Sequence, residues 1–255
     1  MSDHNSITQF VQKVVSGEWP VAILFGASGG VGRSCARMLT RRGFATVLTG
    51  RNEQTLKAEA AKLSGMGGPP SLPYALDLCD PSAIQTLAIE LNPLNTVSVI
   101  ILSAGITSNE TTDMEFEEVQ RVIATNLVSV MWCAKHFVPL LRRGSNSYVI
   151  NIASRAGLIG FAGKGLYGAS KAATIRFMDS LRSELEPDGI RVTSICPGWI
   201  NTPMASAGGC LRDPEEILQP DDVTSIIEWL LASPARIVVR DITLEVAPPR
   251  ASKGT

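Results

Sequence analysis

The chain has 255 residues, of which 45% are hydrophobic, 18% charged and 5% aromatic, and its formal net charge is −1. That length suits a single α/β domain, and a near-neutral chain whose longest basic runs are Arg41-Arg42 and Arg142-Arg143 gives nucleic acid no electrostatic footing. No stretch approaches the ~18 apolar residues of a membrane span, and the start, MSDHNSITQFVQKVV, has neither the basic nor the continuous apolar region of a secretory leader, so a cytoplasmic protein is expected.

In chain order, residues 1–18 read as an N-terminal extension, 19–246 as a single domain and 247–255 as a tail. VAILF (21–25) reads as a buried strand. It runs into FGASGGVGRS, which puts Gly26, Gly30 and Gly32, with Ser28 and Val31, at a turn from strand to helix, where the backbone can approach a pyrophosphate. The same letters spell G-x-S-x-G, the nucleophile elbow of an α/β-hydrolase using Ser28. That enzyme needs a histidine late in the chain, and the only one after Ser28 is His136, within an apparent long helix. A P-loop is excluded, because no Gly-Lys-Ser/Thr follows.

The helix VGRSCARMLTRRG closes at Gly43, and FATVLT (44–49) is the second strand, ending in Gly50 and Arg51. SLPYAL (71–76) is the third, followed by Asp77 and Leu78; Asp80-Pro81 then reads as an N-cap with proline at the first helical position. VSVIIL (97–102) leads into Ser103-Ala104-Gly105, and Thr112 with Glu115 suggests a capping box. A long helix over 116–141 carries Phe116, Val119, Ile123, Leu127, Val130, Ala134, Phe137 and Leu141 at helical spacing, enough to cover one face of a sheet. SYVINIA (147–153), IRVTSI (190–195) and DITLEV (241–246) complete seven strands separated by helices. This is the pattern of a doubly wound parallel sheet, whose ligands bind beyond the carboxyl ends of the strands.

Between the fifth and sixth strands, LYGASKAATIRFMDSL sets Tyr167 and Lys171 four apart on one helix face. Spacing alone also describes a solvated face. Five cysteines, at 35, 79, 133, 196 and 210, form no C-x-x-C and suit reduced thiols, and two histidines, His4 and His136, make a metal site unexpected.

The glycine spacing G-x-x-x-G-x-G joined to Y-x-x-x-K resembles the short-chain dehydrogenase/reductase family, over about residues 20–246. Further motifs stand in the family's order: SAG at 103–105, Asn126 in ATNLVS, Ser154 in NIASRAG, and PGWINTP at 197–203. Phe25 and Ser103 depart from the usual threonine and asparagine, and EVAPPRASKGT lacks the usual glycine pair. The resemblance implies a Rossmann-like sheet and an oxidoreductase moving a hydride between a nicotinamide and a carbonyl or secondary alcohol. It makes Tyr167 the general acid/base, its pKa lowered by Lys171; Lys171 also holds the nicotinamide ribose. Ser154 holds the substrate oxygen, and Asn126 holds a water that links Lys171 to solvent. Cofactor contacts fall on Gly26, Ser28, Gly30, Val31, Gly32, Arg51, Asp77, Leu78, Ala104, Gly105, Tyr167, Lys171, Pro197, Gly198, Ile200 and Thr202.

An acidic side chain at the end of the second strand would favour NAD. Gly50 stands there, with Arg51 next and Arg33 past the glycine loop, so NADP(H) is the expected cofactor and NAD(H) the second choice. Residues 204–219 are expected to form a lid, without announcing a substrate. The rival class is a dinucleotide-binding regulatory protein without turnover, against which the intact Ser154, Tyr167 and Lys171 argue. Val122, Val128, Met131, Trp132 and Cys133 lie off the sheet-facing stripe, and Ile175, Phe177, Met178 and Leu181 follow Lys171; so much apolar surface leads us to expect a homo-oligomer, a tetramer or a dimer.

Overall fold

A computed structural model describes residues 4–247. One parallel sheet of seven strands runs in the order β3-β2-β1-β4-β5-β6-β7. The strands are β1 (Val21–Phe25), β2 (Ala45–Gly50), β3 (Ser71–Ala75), β4 (Val99–Leu102), β5 (Tyr148–Ile152), β6 (Arg191–Pro197) and β7 (Asp241–Leu244). All seven lie where the sequence puts them, with ends shifted by a few residues. Pro73 is tolerated in β3 because that strand is an edge, paired only with β2. The chain winds outward from β1 in both directions, since β1 pairs with β2 on one side and β4 on the other. The crevice at that reversal is where a doubly wound sheet takes its ligand.

Alternation along the buried strands feeds two cores, one on each face of the sheet. Val21, Ile23 and Phe25 of β1 join one, while Ala22 and Leu24 join the other. Helices α2 (Gly30–Arg41), α3 (Glu53–Ser64) and α9 (Pro220–Ala232) supply the second core. The first takes side chains from α4 (Pro81–Glu90), α6 (Ser129–Leu141) and α7 (Gly165–Leu185).

The stretch read as an extension contributes to this core. Residues His4–Gly17 form α1, and Ile7, Phe10 and Val14, spaced three and four apart, are buried in the first core. The tail lies outside the described residues, apart from Ala247.

Local signals are obeyed unevenly. Asp80 caps α4 as expected, accepting from the amides of Ser82 at 2.8 Å and Ala83 at 3.3 Å. Gly43 takes φ +83° after α2. The capping box at Thr112 and Glu115 does not form: Glu115 itself precedes α5 (Phe116–Ile123), and its side chain makes no cap bond.

The long amphipathic stripe is also corrected. Helix α5 is joined to α6 by a π-helical turn over Ala124–Val128. The wider turn rotates the inward face, so Val122 and Asn126 are buried where Phe116 and Ile123 were expected, and Phe116 is exposed. Beyond the turn the expected residues Val130, Ala134, Phe137 and Leu141 are buried. No helix among the described residues is long and apolar enough to cross a membrane.

Candidate active site

The end of β1 sets the site's first wall. Gly26, at φ +92°, could carry no Cβ, since one would lie 2.6 Å from the Ala104 nitrogen; a Cβ on Gly32 would lie 2.2 Å from the Gly26 carbonyl oxygen. The loop is therefore a close fit of backbone on backbone. The amides of Gly26 and Ala27 donate to the Thr49 carbonyl at 3.2 and 2.8 Å, and Gly29 precedes α2 with no side-chain cap. The first turn of α2 keeps amides and a positive potential for an anion. The substitutions at Phe25 and Ser103 are accommodated locally: the Phe25 ring packs on Phe137 at 5.2 Å, and the Ser103 hydroxyl donates to the Phe25 carbonyl at 2.9 Å.

Strand β5 and helix α7 build the floor. Ser154 follows β5 in extended conformation, its hydroxyl accepting from the Ala156 amide at 3.1 Å. Tyr167 and Lys171 rise from the first turns of α7. Gly157 and Gly168 allow this approach: a Cβ at either would come within 2.8 Å of the facing backbone, that of Lys171 or Ala156. A cavity of about 740 Å³ brings Ser154, Tyr167 and Lys171 together.

The titration of the pair departs from expectation. Burial pushes the Tyr167 phenol above its ordinary value, opposed by its hydrogen bond with Ser154. Lys171, also buried, is pushed down to about 8, with a small opposing pull from Cys196. The lysine donates to the Ile152 carbonyl at 2.9 Å. The expected lowering of the phenol by the ammonium is absent, because desolvation disfavours phenolate and ammonium alike.

Asn126 is held by three hydrogen bonds of its own side chain. Its Oδ1 accepts from the Ile106 amide at 2.8 Å, and its Nδ2 donates to the Ile106 carbonyl at 2.9 Å and to the Ser170 hydroxyl at 3.0 Å. With both amide hydrogens committed, the side chain ties the loop after β4 to α7. A Cβ on Gly105 would stand 3.3 Å from Asn126 Oδ1 and 3.4 Å from Lys171 Nζ, so this tie also sets the wall beside the lysine.

Of the sequence-derived cofactor residues, Ser28, Gly30, Val31, Gly32 and Gly105 line the cavity on one side. Pro197, Gly198, Ile200 and Thr202 line it on the other. Gly26 and Ala104 stand behind the wall as its backbone support, and Leu78 is buried in the core. Asp77 folds back on its own loop, accepting from the Cys79 amide at 2.9 Å. Neither Asp77 nor Arg51 reaches the cavity wall, and Arg51 is exposed. Arg33 does reach it. Its Nε is buried without a hydrogen-bond partner, 3.6 Å from Glu59.

Arg155, Phe161, Lys164 and Trp199 also stand on the wall; Arg155 and Trp199 fall within NIASRAG and PGWINTP, whereas no local pattern marks Phe161 or Lys164. The lid begins with a short helix, α8 (Pro203–Ala207), which brings Met204 to the cavity. Its base is pinned where the Asn201 amide donates to the Leu218 carbonyl at 2.7 Å and the Leu218 amide to that of Trp199 at 3.1 Å.

Comparison with known proteins agrees with this architecture. An uncharacterised oxidoreductase of Staphylococcus epidermidis is 30% identical over 226 residues, 88% of this chain and 96% of its own. The probable oxidoreductase EphD of Mycobacterium tuberculosis is 34% identical over 187 residues, 72% of this chain but 31% of its own. Among solved structures, a variant of actinorhodin polyketide ketoreductase with NADPH superposes with a TM-score of 0.81 at 26% identity, covering 90% of this chain and 97% of that one. A β-ketoacyl carrier protein reductase from Bacteroides thetaiotaomicron does so at 0.76 and 30% identity, covering 89% and 96%. The family model described as short chain dehydrogenase matches residues 20–209. The chain belongs to the short-chain dehydrogenase/reductase family of oxidoreductases.

Proposed function

We propose that the protein is an NADP(H)-dependent carbonyl reductase or alcohol dehydrogenase, with Ser154, Tyr167 and Lys171 at its reacting centre. The observation that carries the reading is the meeting of these three side chains in one cavity that also reaches the amides of the glycine loop. A nicotinamide dinucleotide bound along that loop supplies or accepts the hydride. The Ser154 hydroxyl holds the substrate oxygen, and the Tyr167 phenol gives that oxygen its proton during reduction. Lys171 supplies positive charge behind the phenol as the alkoxide forms, and it binds the nicotinamide ribose. In oxidation the same groups act in reverse, with Tyr167 taking the proton from the alcohol.

The residues fit the phosphorylated cofactor. Gly50 ends β2 without a carboxylate, and its missing Cβ leaves room beside Ser28 Oγ, which a Cβ would approach to 2.9 Å. Arg33 lines the cavity beside the glycine loop, so it is better placed than the exposed Arg51 to meet the 2′-phosphate. NADPH-bound relatives of this fold are consistent with that choice. We further propose a cytoplasmic homo-oligomer, a dimer or tetramer, formed through α5 to α7, where Phe116, Val128 and Met131 are exposed. Light scattering giving a monomer mass from a fully active sample would refute that assembly.

The test of function is NADPH oxidation against a panel of ketones and aldehydes, with Tyr167→Phe as control. NADPH binding without consumption of any carbonyl compound would favour the non-catalytic regulatory reading instead.

A further inference from the structure

The charges around the substrate half of the cavity are already matched. Among the described residues, no Asp or Glu lines the cavity, so nothing there receives a cationic substrate. The cations that do line it are Arg33, Arg155, Lys164 and Lys171. Arg33 stands at the glycine loop, and Lys171 stands behind the phenol. An anionic substrate would have to be met by Arg155 or Lys164.

Both are engaged. The Arg155 guanidinium pairs with Glu245 at 2.9 Å and lies over the Phe161 ring at 4.9 Å. Its Nε is buried without an acceptor, so that hydrogen is not presented to solvent. The Arg155 charge is matched by Glu245. Lys164 Nζ lies within hydrogen-bond reach of four oxygens: the Gly208 carbonyl at 2.8 Å, the Ser108 carbonyl at 3.2 Å, the Thr107 hydroxyl at 3.4 Å and the Asn109 side-chain oxygen. An ammonium has three hydrogens, so none is left for a carboxylate. Asn109 Nδ2 donates in turn to the Ala207 carbonyl at 2.8 Å. Lys164 and Asn109 thus fasten the last carbonyls of the lid helix to the loop after β4.

What remains in that half is apolar. The Phe161 and Met204 side chains, 38% and 37% exposed, reach the cavity with the indole of Trp199, and Lys164 sits under that indole at 5.6 Å. Exposed Leu158 and Ile159 precede Phe161 in the same loop. Exposed apolar groups beside a cleft are covered when an apolar ligand enters it.

We infer that the substrate is a neutral, bulky apolar carbonyl compound, with Phe161, Trp199 and Met204 as its specificity surface and Lys164 as a lid anchor that does not contact an anionic group. The inference rests on the carbonyl-reductase reading of the same cavity. An anionic ketone would have to detach Lys164 from the lid or enter unpaired, and both lower its affinity.

The experiment compares 1-tetralone, its ring-carboxylated analogue and 2-butanone. Turnover is measured with NADPH, and binding to the NADP⁺-saturated protein is measured by calorimetry. Tetralone is expected to exceed the carboxylate at least 30-fold in kcat/KM and in affinity. Phe161→Ala and Met204→Ala should each lower kcat/KM for tetralone about tenfold while changing that for butanone less than threefold. Lys164→Met should raise KM for tetralone and the carboxylate in parallel, leaving their ratio within twofold, with kcat changed less.

A carboxylate bound or reduced as well as tetralone overturns the inference. So does a Lys164→Met variant that selectively loses the carboxylate. Tetralone bound with the expected preference but never reduced refutes the catalytic reading and leaves the substrate class standing; a carboxylate reduced preferentially does the reverse.

Discussion

Two lysines enter the same cavity, one at its floor and one at its rim, and they differ in what their charge is spent on. Lys171 is almost fully buried, has a single carbonyl partner and is pushed down to about 8. Lys164 is less buried and is shifted in the same direction by burial, while four oxygens surround its ammonium. A charge held in low dielectric with few partners is costly, and it is available to stabilise charge that develops beside it. A charge saturated by backbone oxygens serves as a fastener. On the proposed function, floor and rim are therefore separable, one acting on the rate and the other on what enters.

The largest effect expected on that division is at the floor. Tyr167→Phe removes the proton that the proposed reaction transfers, and a loss of about 10³-fold or more in kcat is expected, near the upper part of the range for a general acid. NADPH affinity, read by fluorescence titration, should change less than threefold. Turnover close to that of the parent protein would remove Tyr167 from the mechanism and end the distinction between floor and rim.

The next effect separates the cofactor end from both. Arg33→Ala should weaken NADPH by about 10- to 100-fold, the worth of one or two charge-assisted hydrogen bonds. NADH should be weakened less than threefold. Arg51, exposed and off the cavity wall, should show a smaller bias when replaced by alanine. Equal losses of both cofactors in Arg33→Ala would show that this arginine does not read a 2′-phosphate.

That Tyr167, Lys171 and the glycine loop face one cavity was legible in the sequence because their geometry follows from local spacing. A Tyr and a Lys four apart on a helix must share a face, and glycines at a strand-to-helix turn must expose backbone. The rim was not legible in the same way. Lys164 draws its partners from residues 107–109 and 208, about 55 positions before it and 44 after it, and no local pattern announces such a meeting. The stripe on α5 failed for another reason. A single π turn at Ala124–Val128 breaks the period of 3.6, and it carries Asn126 inward to bind the Ile106 backbone. Helix α1 was legible in principle, since Ile7, Phe10 and Val14 stand three and four apart as on an amphipathic helix.

A pH profile sharpens the contrast further. If Lys171 must be charged to support proton transfer, reductive kcat/KM should be level below about pH 8. Above that it should fall up to tenfold per pH unit as the ammonium is lost. Lys164→Met should leave the position of this bend unchanged, because the rim lysine does not supply the charge. A bend that moved with Lys164 would mean that the rim, not the floor, titrates.

The smallest effects are on stability, and there the two lysines should differ in sign. Lys171 has a folded-state pKa of about 8 against an ordinary 10.5. Between those values the unfolded chain binds more protons, so folding gains stability as pH rises through this window. Below about pH 8 the full cost of the buried ammonium is present. A shift of this size corresponds to about 3 kcal/mol, of which about 1 is offset because the Ile152 carbonyl loses its donor on substitution. Lys171→Met is thus expected to stabilise the protein by about 2 kcal/mol at pH 7 in urea unfolding, with the gain shrinking toward pH 10. Lys164→Met should instead destabilise by about 1 kcal/mol, since it leaves the Gly208 and Ser108 carbonyls without their charged donor. That loss should appear chiefly as faster hydrogen exchange in residues 203–209, because the fastener holds the lid and not the sheet. A destabilised Lys171→Met at pH 7 would mean that the floor lysine is held as favourably as the rim lysine, and the distinction drawn from their partners would not stand.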